Sequence, residues 1–431
     1  MKIVIMSTYY DKGGAEWQAL YESNNLVKRG VECWYITFDP DFRREHNSNN
    51  SDNNHYQNRN SHNDSFNAEN IDNSKCVNKD SKHINFGSKH GVIRRKFKNI
   101  FIDFITLRKL RKILENIQPD VIHLHNISYN FITIAKACRG YYTIQTIHDF
   151  GNLCVNFGRC LRTNGQLCNN FGFVNCWKEC FSKNLLITLV FCYYATIKWI
   201  ARKYTERYVK LLLSPSAILA QLMQAECNMN IPIFTLNNVI DTSDFFAQNK
   251  IWQSEKKKIV FLGSIRRDKG IYELLNAYKY PEYENLKLFI VGSLGEDMNH
   301  DDFEQLINLS GAIFLGKMNH QQLVEFLRDT YAVIIPSLWM ENYPNVALEG
   351  FASNCIVTGS NRGGIPELVV RKELLFDVLS NDSIKSVLKY IDKMPENERK
   401  QICAEQKEKL LENNSPDTYF KKLSEYTRLK F

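Results

Sequence analysis

Short apolar runs alternate with longer amphipathic segments along most of the chain, and the alternation occurs twice, in two halves that meet near residues 238–258. Each run precedes a loop that carries Gly, Ser or Asn and then a helical pattern, which predicts parallel β-strands joined by helices. The strands predicted in the first half are 2–6, 32–37, 121–124, 142–147, 211–214 and 233–236. Those predicted in the second half are 258–262, 287–291, 312–315, 332–335 and 355–358. The pattern indicates two α/β domains, and such sheets bind ligands at the carboxyl ends of their strands.

One polar segment interrupts this alternation. Residues 47–70 hold ten asparagines in 24 positions and almost no apolar side chains. Such a composition cannot bury enough surface to fold, so we expect a disordered surface insertion over residues 43–90. Its histidines would have to be ordered at a high entropic cost before they could bind a metal, and we assign them no chemistry.

The composition limits the class of protein. With 431 residues, of which 44% are hydrophobic and 24% charged, the chain can form two or three domain cores, which excludes a small disulfide-stabilised module and a wholly disordered protein. The net charge is +8, and residues 89–112 alone carry nine Lys or Arg side chains against Asp103. Because the rest of the chain is balanced, the sequence gives little support to nucleic-acid binding, and none is expected.

The N-terminal apolar run ends within a few residues and is not followed by a small-residue cleavage site, so we expect a first buried strand and neither a signal peptide nor an anchor. Twelve cysteines in such a chain are typical of a reducing cytosol, and a cytoplasmic protein is expected. The longest uncharged apolar stretch, residues 185–197, is shorter than the roughly 20 residues of a membrane-spanning helix, which favours a buried or interfacial helix.

The segment after the insertion predicts a basic amphipathic helix. Its apolar residues recur at steps of three and four, and cationic side chains flank them: Phe97, Ile100, Phe104, Leu107, Leu110 and Leu114. One interpretation is a helix that packs on the first sheet and exposes its basic face to solvent. The other adds attraction of residues 89–112 to anionic lipid headgroups, at about 1 kcal/mol per close cation, as in a peripheral protein on the inner face of the plasma membrane. The two are compatible.

The stretch SLWMENYPNVALEGF carries the strongest candidate chemistry. Glu341 and Glu349 are separated by seven residues, and Pro344 lies where a helix can begin. Three amides at the start of such a helix would be free to bind a phosphate or pyrophosphate: those of Asn345, Val346 and Ala347. Glu349 could then accept hydrogen bonds from a diol such as a ribose, and Glu341 could reach what lies beyond the phosphates. The alternative is that both glutamates are solvated surface charges.

Two glycine-containing turns could contribute to the same site. In GSIRRDKG, the cations Arg266, Arg267 and Lys269 would offset the charge of a diphosphate, unless they face solvent on a plain turn. Gly13 and Gly14 follow the first strand, where glycine lets a ligand approach the backbone at a helix start.

His148 and Asp149 end a predicted strand of the first half. A histidine at this place is either a packing residue with satisfied hydrogen bonds or a hydrogen-bond donor to a substrate.

Seven motifs, in this order, resemble those of the retaining GT-B glycosyltransferases of family 4, the group 1 glycosyltransferases. They are GGAE after the first strand, the H-D pair, NNVID at 237–241, the G-x5-K-G turn, IVG at 290–292, the E-x7-E pair and GGIPE at 363–367. The resemblance implies two Rossmann-like domains that face each other across a cleft. Residues 1–245 would form the acceptor-side domain, 246–412 the nucleotide-sugar domain, and 413–431 a helix that crosses back to the first domain.

The family's activity implies transfer of a hexose or N-acetylhexosamine from a nucleotide-sugar, UDP-linked rather than GDP-linked, to a glycan or lipid-linked acceptor in bacterial capsule or lipopolysaccharide synthesis. It implies retention at the anomeric carbon, by front-face attack, with no essential metal and no cofactor. By position, Lys269 should bind the diphosphate, Glu349 the ribose and Glu341 the donor sugar. Gly14 should meet the phosphates from the opposite domain, and His148 should lie near the transferred sugar.

The sequence departs from the family in two places. The family turn has Arg directly after its first glycine, whereas this chain has Ser264, so either Arg266 or Arg267 would supply the charge. A cysteine cluster follows the H-D pair without a C-x2-C spacing, and its thiols are either unligated or bound to a structural zinc: Cys154, Cys160, Cys168, Cys176 and Cys180.

The alternative functions are a non-catalytic GT-B subunit or scaffold that binds sugar nucleotides, and a nucleotide-sugar epimerase.

Overall fold

The computed structural model describes residues 1–10, 13–38, 82–86, 101–156, 158–162, 165–181, 184–227, 229–242, 245, 256–279, 282–283 and 285–429. The Asn-rich tract 47–70, most of the predicted insertion and the first part of the basic segment, residues 89–100, lie outside these ranges.

The first domain is built on a seven-stranded parallel sheet in the order β3-β2-β1-β4-β5-β6-β7. Its strands are β1 (Lys2–Ser7), β2 (Glu32–Thr37), β3 (Lys82–Asn85), β4 (Val121–His125), β5 (Thr143–Thr146), β6 (Leu211–Ser214) and β7 (Ile233–Thr235). In the central strand, Ile5 lies between Tyr35 of β2 and His123 of β4. Consecutive apolar residues are buried on both faces of this strand, as expected for a parallel sheet covered by helices on both sides.

Six α-helices belong to the described part of this domain: α1 (Gly14–Lys28), α2 (Phe104–Ile117), α3 (Phe131–Ala137), α4 (Phe173–Cys176), α5 (Leu185–Tyr208) and α6 (Ala217–Cys227). Asp103 caps α2, because its side chain accepts a hydrogen bond from the amide of Thr106 at 3.2 Å. Leu107, Leu110 and Leu114 of α2 are buried as their spacing predicts. Phe104 is 64% exposed, so the predicted apolar stripe is wrong at this residue, which lies in the first turn of the helix.

The second domain has a six-stranded parallel sheet in the order β10-β9-β8-β11-β12-β13. Its strands are β8 (Lys257–Leu262), β9 (Leu286–Val291), β10 (Ile313–Gly316), β11 (Ala332–Ile335), β12 (Ile356–Ser360) and β13 (Leu375–Phe376). Its helices are α7 (Ile271–Ala277), α8 (His300–Ser310), α9 (His320–Arg328), α10 (Asn345–Ala352), α11 (Ile365–Leu368), α12 (Asn381–Lys393) and α13 (Glu396–Asn414).

The last helix, α14 (Pro416–Thr427), returns to the first domain. Its apolar residues Tyr419, Phe420 and Leu423 share a core with Ile3 and Ile5 of β1. Just before it, the side-chain amide of Asn414 donates a 2.7 Å hydrogen bond to the carbonyl of Asn238 in the segment between the domains.

The predicted architecture of two α/β domains with parallel sheets is confirmed. Two strands were not predicted. β3 contradicts the C-terminal limit of the predicted insertion, because residues 82–85 pair with β2 although they follow a polar tract. β13 is only two residues long, too short to give an apolar pattern of its own.

Candidate active site

A half-buried ion pair lies at the carboxyl ends of the strands in the second domain. Nζ of Lys269 is 2.5 Å from Oε1 of Glu341, which also accepts a 2.8 Å hydrogen bond from the hydroxyl of Ser337. Burial alone would raise the pKa of Glu341, but the charge and hydrogen bond of Lys269, with the hydrogen bonds of Trp339 and Ser337, lower it overall. Glu341 is therefore an anion held beside a cation, and the structure brings together two residues that the sequence analysis assigned to the donor.

The backbone places this lysine. Gly270 ends the turn after β8 with φ +71°, and a Cβ at this position would lie 1.7 Å from the carbonyl oxygen of Pro336. Glycine is therefore required, and the G-x5-K-G motif fixes the approach of Lys269 to the loop after β11.

Arg266 and Arg267 contact different aromatic rings. Nζ of Lys269 lies 4.4 Å from the centroid of the Trp339 ring, and the guanidinium of Arg266 lies 5.4 Å from the same centroid. Arg266 also pairs with Asp268. Arg267 instead lies over the ring of Tyr272, at 5.0 Å. Arg266 thus shares an aromatic ring with Lys269, and Arg267 does not.

Helix α10 begins at Asn345, with Pro344 as its N-cap, so the predicted helix start is correct. Among the described residues, the amides of Asn345 and Val346 have no hydrogen-bond acceptor. The amide of Ala347 donates to the carbonyl of Pro344 at 3.1 Å, so the expectation of a third free amide is wrong: the first turn closes tightly on its cap. Glu349 lies in the second turn, where burial raises its pKa.

The glycine turn of the first domain contacts this helix. Gly13 is the N-cap of α1, and a Cβ on Gly14 would lie 3.2 Å from Nδ2 of Asn345. Oδ1 of Asn345 accepts a 3.0 Å hydrogen bond from Asn238, the second residue of the NNVID motif. The start of α1 and the start of α10 therefore meet across the two domains.

His148 reaches the same region through its backbone. The side-chain amide of Asn342, next to Glu341, donates to the carbonyl of His148 at 3.1 Å and to that of Ile147 at 3.3 Å. The imidazole of His148 has Nε2 at 2.9 Å from Nδ1 of His125. Burial, with the neighbouring histidines, lowers the pKa of His148 well below its ordinary value, so the ring is neutral.

The loop that carries Glu341 is held by residues for which the sequence predicts no such role. A Cβ on Gly363 would lie 2.1 Å from the carbonyl oxygen of Glu341, and one on Gly364 would lie 1.8 Å from that of Asn342. The GGIPE motif therefore supports the backbone of the Glu341 loop. Its glutamate, Glu367, accepts hydrogen bonds from the amides of Ala217 (2.8 Å) and Ile218 (2.7 Å) at the start of α6 in the other domain. The GGIPE motif is visible in the sequence, but nothing in the sequence indicates which residues it contacts.

A second polar cluster could in principle hold a metal. Glu22, His123 and His125 offer ligand atoms that all lie within 4.8 Å of one another, in the core of the first domain. Their atoms already exchange hydrogen bonds with each other and with Thr146, His148 and Tyr419, which is typical of a polar network rather than an ion site.

The five cysteines predicted as a cluster form no disulfide in the described part of the chain. Cys154, Cys160 and Cys176 are buried. A hydrogen bond from Cys160 lowers the pKa of Cys154 to about 6. None of the five belongs to the group of described residues whose ligand atoms are close enough to share a metal ion.

Two protein-family models match the chain. The family model of "Glycosyltransferase Family 4" matches residues 12–244, and that of "Glycosyl transferases group 1" matches residues 242–414. The two matched spans overlap at residues 242–244.

Two curated relatives are similar over part of the chain. The lipopolysaccharide 1,2-N-acetylglucosaminetransferase of Salmonella typhimurium is 28% identical over 35% of this chain and 42% of its own length. The capsular polysaccharide biosynthesis glycosyltransferase CapM of Staphylococcus aureus is 24% identical over 41% of this chain and 48% of its own length. The chain spans less than half the length of either relative in these matches.

The structure of Anabaena HepE in complex with UDP and glucose aligns with 99% of this chain and 98% of its own, with a TM-score of 0.65 and 14% identity. At 14% sequence identity, this similarity shows that the two chains share a fold and no more.

Proposed function

Because this chain belongs to glycosyltransferase family 4, we propose that it transfers a hexose or N-acetylhexosamine from a nucleotide-sugar to a glycan or lipid-linked acceptor, with retention at the anomeric carbon. One observation carries the proposal: the Lys269–Glu341 ion pair, the free amides of α10 and the backbone of His148 converge where the two domains meet. Residues from both domains at one place suit a reaction between two substrates.

The donor would bind to the second domain. The amides of Asn345 and Val346 lie at the positive end of α10 and would bind the diphosphate, together with Lys269 and Arg266. Glu349, further along the same helix, would accept hydrogen bonds from the ribose. A UDP-sugar is the preferred donor, because the similarly folded HepE binds UDP and glucose.

The first domain would present the acceptor. The neutral His148 would lie near the transferred sugar, and Glu341, held by Lys269, would orient the sugar from the other side. Cation and amide groups around the departing diphosphate would stabilise its developing charge, which needs neither a metal nor a dedicated general base. The relatives named for capsule and lipopolysaccharide synthesis favour a surface polysaccharide as the product.

Helix α5 favours peripheral attachment to a membrane. It is long and apolar enough to cross a bilayer, yet only 6% of its most apolar window is buried. Its exposed apolar residues recur at helical spacing: Leu185, Leu186, Leu189, Val190 and Trp199. We call this the α5 surface. The buried amine of Lys198 donates to the carbonyls of Gly151 and Cys154, which ties the helix to the first domain, so it would lie along the bilayer surface rather than cross it.

Helix α2 packs against α3, as α5 does, and exposes apolar and cationic side chains of its own. Phe101, Phe104 and Ile105 are exposed at the start of α2, and exposed cations follow at Arg108, Lys109 and Lys112. Apolar and cationic side chains together suit a bilayer that contains anionic lipids, on the cytoplasmic side where nucleotide-sugars are available. We therefore propose that residues 101–112, the described part of the basic segment 89–112, bind anionic lipid headgroups.

The function is tested with a panel of UDP-, GDP- and ADP-sugars, measuring first the rise in unfolding temperature and then the release of nucleotide in the presence of lipid-linked acceptors. Stabilisation by one nucleotide class followed by acceptor-dependent release is expected. Stabilisation without release by any acceptor would favour the non-catalytic subunit, and no stabilisation would contradict donor binding altogether.

A further inference from the structure

The core of the first domain contains a buried carboxylate linked to the candidate site. Glu22 lies on α1 and its side chain is 1% exposed. Its Oε1 lies 2.8 Å from Nδ1 of His123, and its Oε2 lies 2.6 Å from the hydroxyl of Tyr419 and 3.2 Å from Nε2 of His125. His125 then contacts His148, so a continuous polar chain runs from α14 through Glu22 to the candidate catalytic histidine.

The charge of Glu22 decides where its neighbours carry their protons. Burial alone would raise the pKa of Glu22, but the charge and hydrogen bond of His123, together with the contact to His125, hold it well below its ordinary value. A carboxylate only accepts hydrogen bonds, so the two groups that hydrogen-bond to it, Nδ1 of His123 and the hydroxyl of Tyr419, must each carry a hydrogen. The other ring nitrogen of His123, Nε2, lies 2.7 Å from the hydroxyl of Thr146.

Electrostatics places the hydrogen of His125. Its Nε2 lies 3.2 Å from Oε2 of Glu22, outside good hydrogen-bond geometry, and a hydrogen on Nε2 is attracted by the carboxylate, whereas a lone pair there would be repelled. Burial lowers the pKa of His125 to about 4, so the ring is neutral and carries a single N–H. Its Nδ1 is consequently an acceptor, and the 2.9 Å contact to His148 requires a hydrogen on Nε2 of His148.

We propose that Glu22 is a positioning residue that acts through His125 to hold His148 as the Nε2–H tautomer, so that Nδ1 of His148 is presented as a hydrogen-bond acceptor for a hydroxyl of the bound sugar. Among the described residues, Nδ1 of His148 has no hydrogen-bond partner of its own. This replaces the donor role expected from the sequence. The use of Nδ1 on a sugar rests on the proposed function, whereas the tautomer does not.

The tautomer can be read directly by NMR. Two-bond 1H–15N correlation spectra of the 15N-histidine-labelled protein distinguish protonated from unprotonated ring nitrogens, and a His148→Asn variant identifies the His148 signals among the ten histidines. The expected result is a protonated Nε2 and an unprotonated Nδ1 in the protein without substrate. A protonated Nδ1 would overturn the proposal, whether or not the protein has any transferase activity.

Glu22→Gln tests the cause. The neutral amide no longer attracts a hydrogen on Nε2 of His125 as the carboxylate does, so His125 can carry its hydrogen on Nδ1 and His148 should shift partly or wholly to the Nδ1–H form. Tyr419→Phe is the matched control, because it removes one hydrogen bond from the same carboxylate, leaves the negative charge and should keep the wild-type tautomer. An unchanged His148 spectrum in Glu22→Gln would contradict the positioning role. If this variant does not fold, the wild-type spectrum still decides the tautomer.

Kinetics test the consequence. In Glu22→Gln, kcat should fall on the order of tenfold while KM for the donor changes little, since proton placement matters at the reacting sugar. A reversed tautomer with wild-type kcat would overturn the acceptor role of Nδ1. A chain that turns over no donor, yet shows the expected spectra, would contradict the proposed function and leave the tautomer assignment supported.

Discussion

Nδ2 of Asn342 donates a hydrogen bond to the carbonyl oxygen of His148 over 3.1 Å, and this contact joins the two domains at the point where their candidate residues meet. Asn342 is buried, and its own carbonyl oxygen accepts from the hydroxyl of Ser216, again in the first domain. The side-chain amide of Asn342 thus holds the backbone of His148 close to Glu341.

Asn342→Ala should lower kcat and the free energy of unfolding together. The change leaves two buried carbonyls and one hydroxyl without their partner, at a cost of about 1–3 kcal/mol. Asn319→Ala is the control, because it removes the N-cap of α9 and costs about 1 kcal/mol in stability, away from the site. Measured by denaturant unfolding and steady-state kinetics, equal losses of kcat in the two variants would show that Asn342 acts on stability alone.

Lys269→Ala should raise KM for the donor and destabilise the protein, by about 1–3 kcal/mol, because it removes the cationic partner of the half-buried carboxylate of Glu341. The double variant Lys269→Met/Glu341→Gln should recover stability, since no unpaired charge is left, but not donor affinity.

The pair Lys258–Asp329 is the matched control. Its N–O distance is also 2.5 Å and its side chains are 25% and 12% exposed, against 22% and 12% for Lys269 and Glu341. Lys258→Ala should reduce the unfolding temperature without changing KM for the donor. A rise in KM in this variant as large as in Lys269→Ala would remove the diphosphate role from Lys269.

Arg266→Ala should weaken binding of nucleoside diphosphates more than Arg267→Ala does. Arg266 shares the Trp339 ring with Lys269, whereas Arg267 lies over Tyr272. A lost charge-assisted hydrogen bond costs roughly 1.5–3 kcal/mol, or at least tenfold in Kd by calorimetry with UDP. The opposite order of the two variants would assign the charge that replaces the family arginine to Arg267.

Leu186→Glu/Leu189→Glu should abolish most binding to vesicles that contain anionic lipids, measured by flotation. Two leucines removed from the α5 surface cost roughly 3 kcal/mol of apolar burial or more, and the new charges repel the lipid. Leu309→Glu/Leu411→Glu, exposed leucines of the second domain, should float like the wild type. Wild-type protein that does not prefer anionic vesicles would contradict the proposed attachment.

Eleven of the thirteen described strands were predictable because they are continuous apolar runs between turn residues, which is how strands of covered parallel sheets are encoded. β3 was missed because its four residues, KHIN, follow a polar tract and gain their order from pairing with β2. For α5, the sequence left a buried helix and an interfacial helix open, because its apolar composition is compatible with both. Tertiary packing alone determines whether its apolar face is buried or exposed.

The site was predictable where a local pattern carries the chemistry. Pro344 and the two glutamates indicated the start of α10, and the glycine before α7 indicated the turn that holds Lys269. Contacts between distant segments were not predictable: the amide of Asn342 on the backbone of His148, and Glu22 behind His125, join residues separated by more than 100 positions. No short-range spacing encodes such pairs.

The most direct measurement is a crystal structure of the protein with the nucleotide-sugar that stabilises it most. We expect the diphosphate against the amides of Asn345 and Val346, the ribose beside Glu349 and the sugar between Glu341 and His148. Density for the nucleotide elsewhere, with the start of α10 left unoccupied, would contradict donor binding at this site.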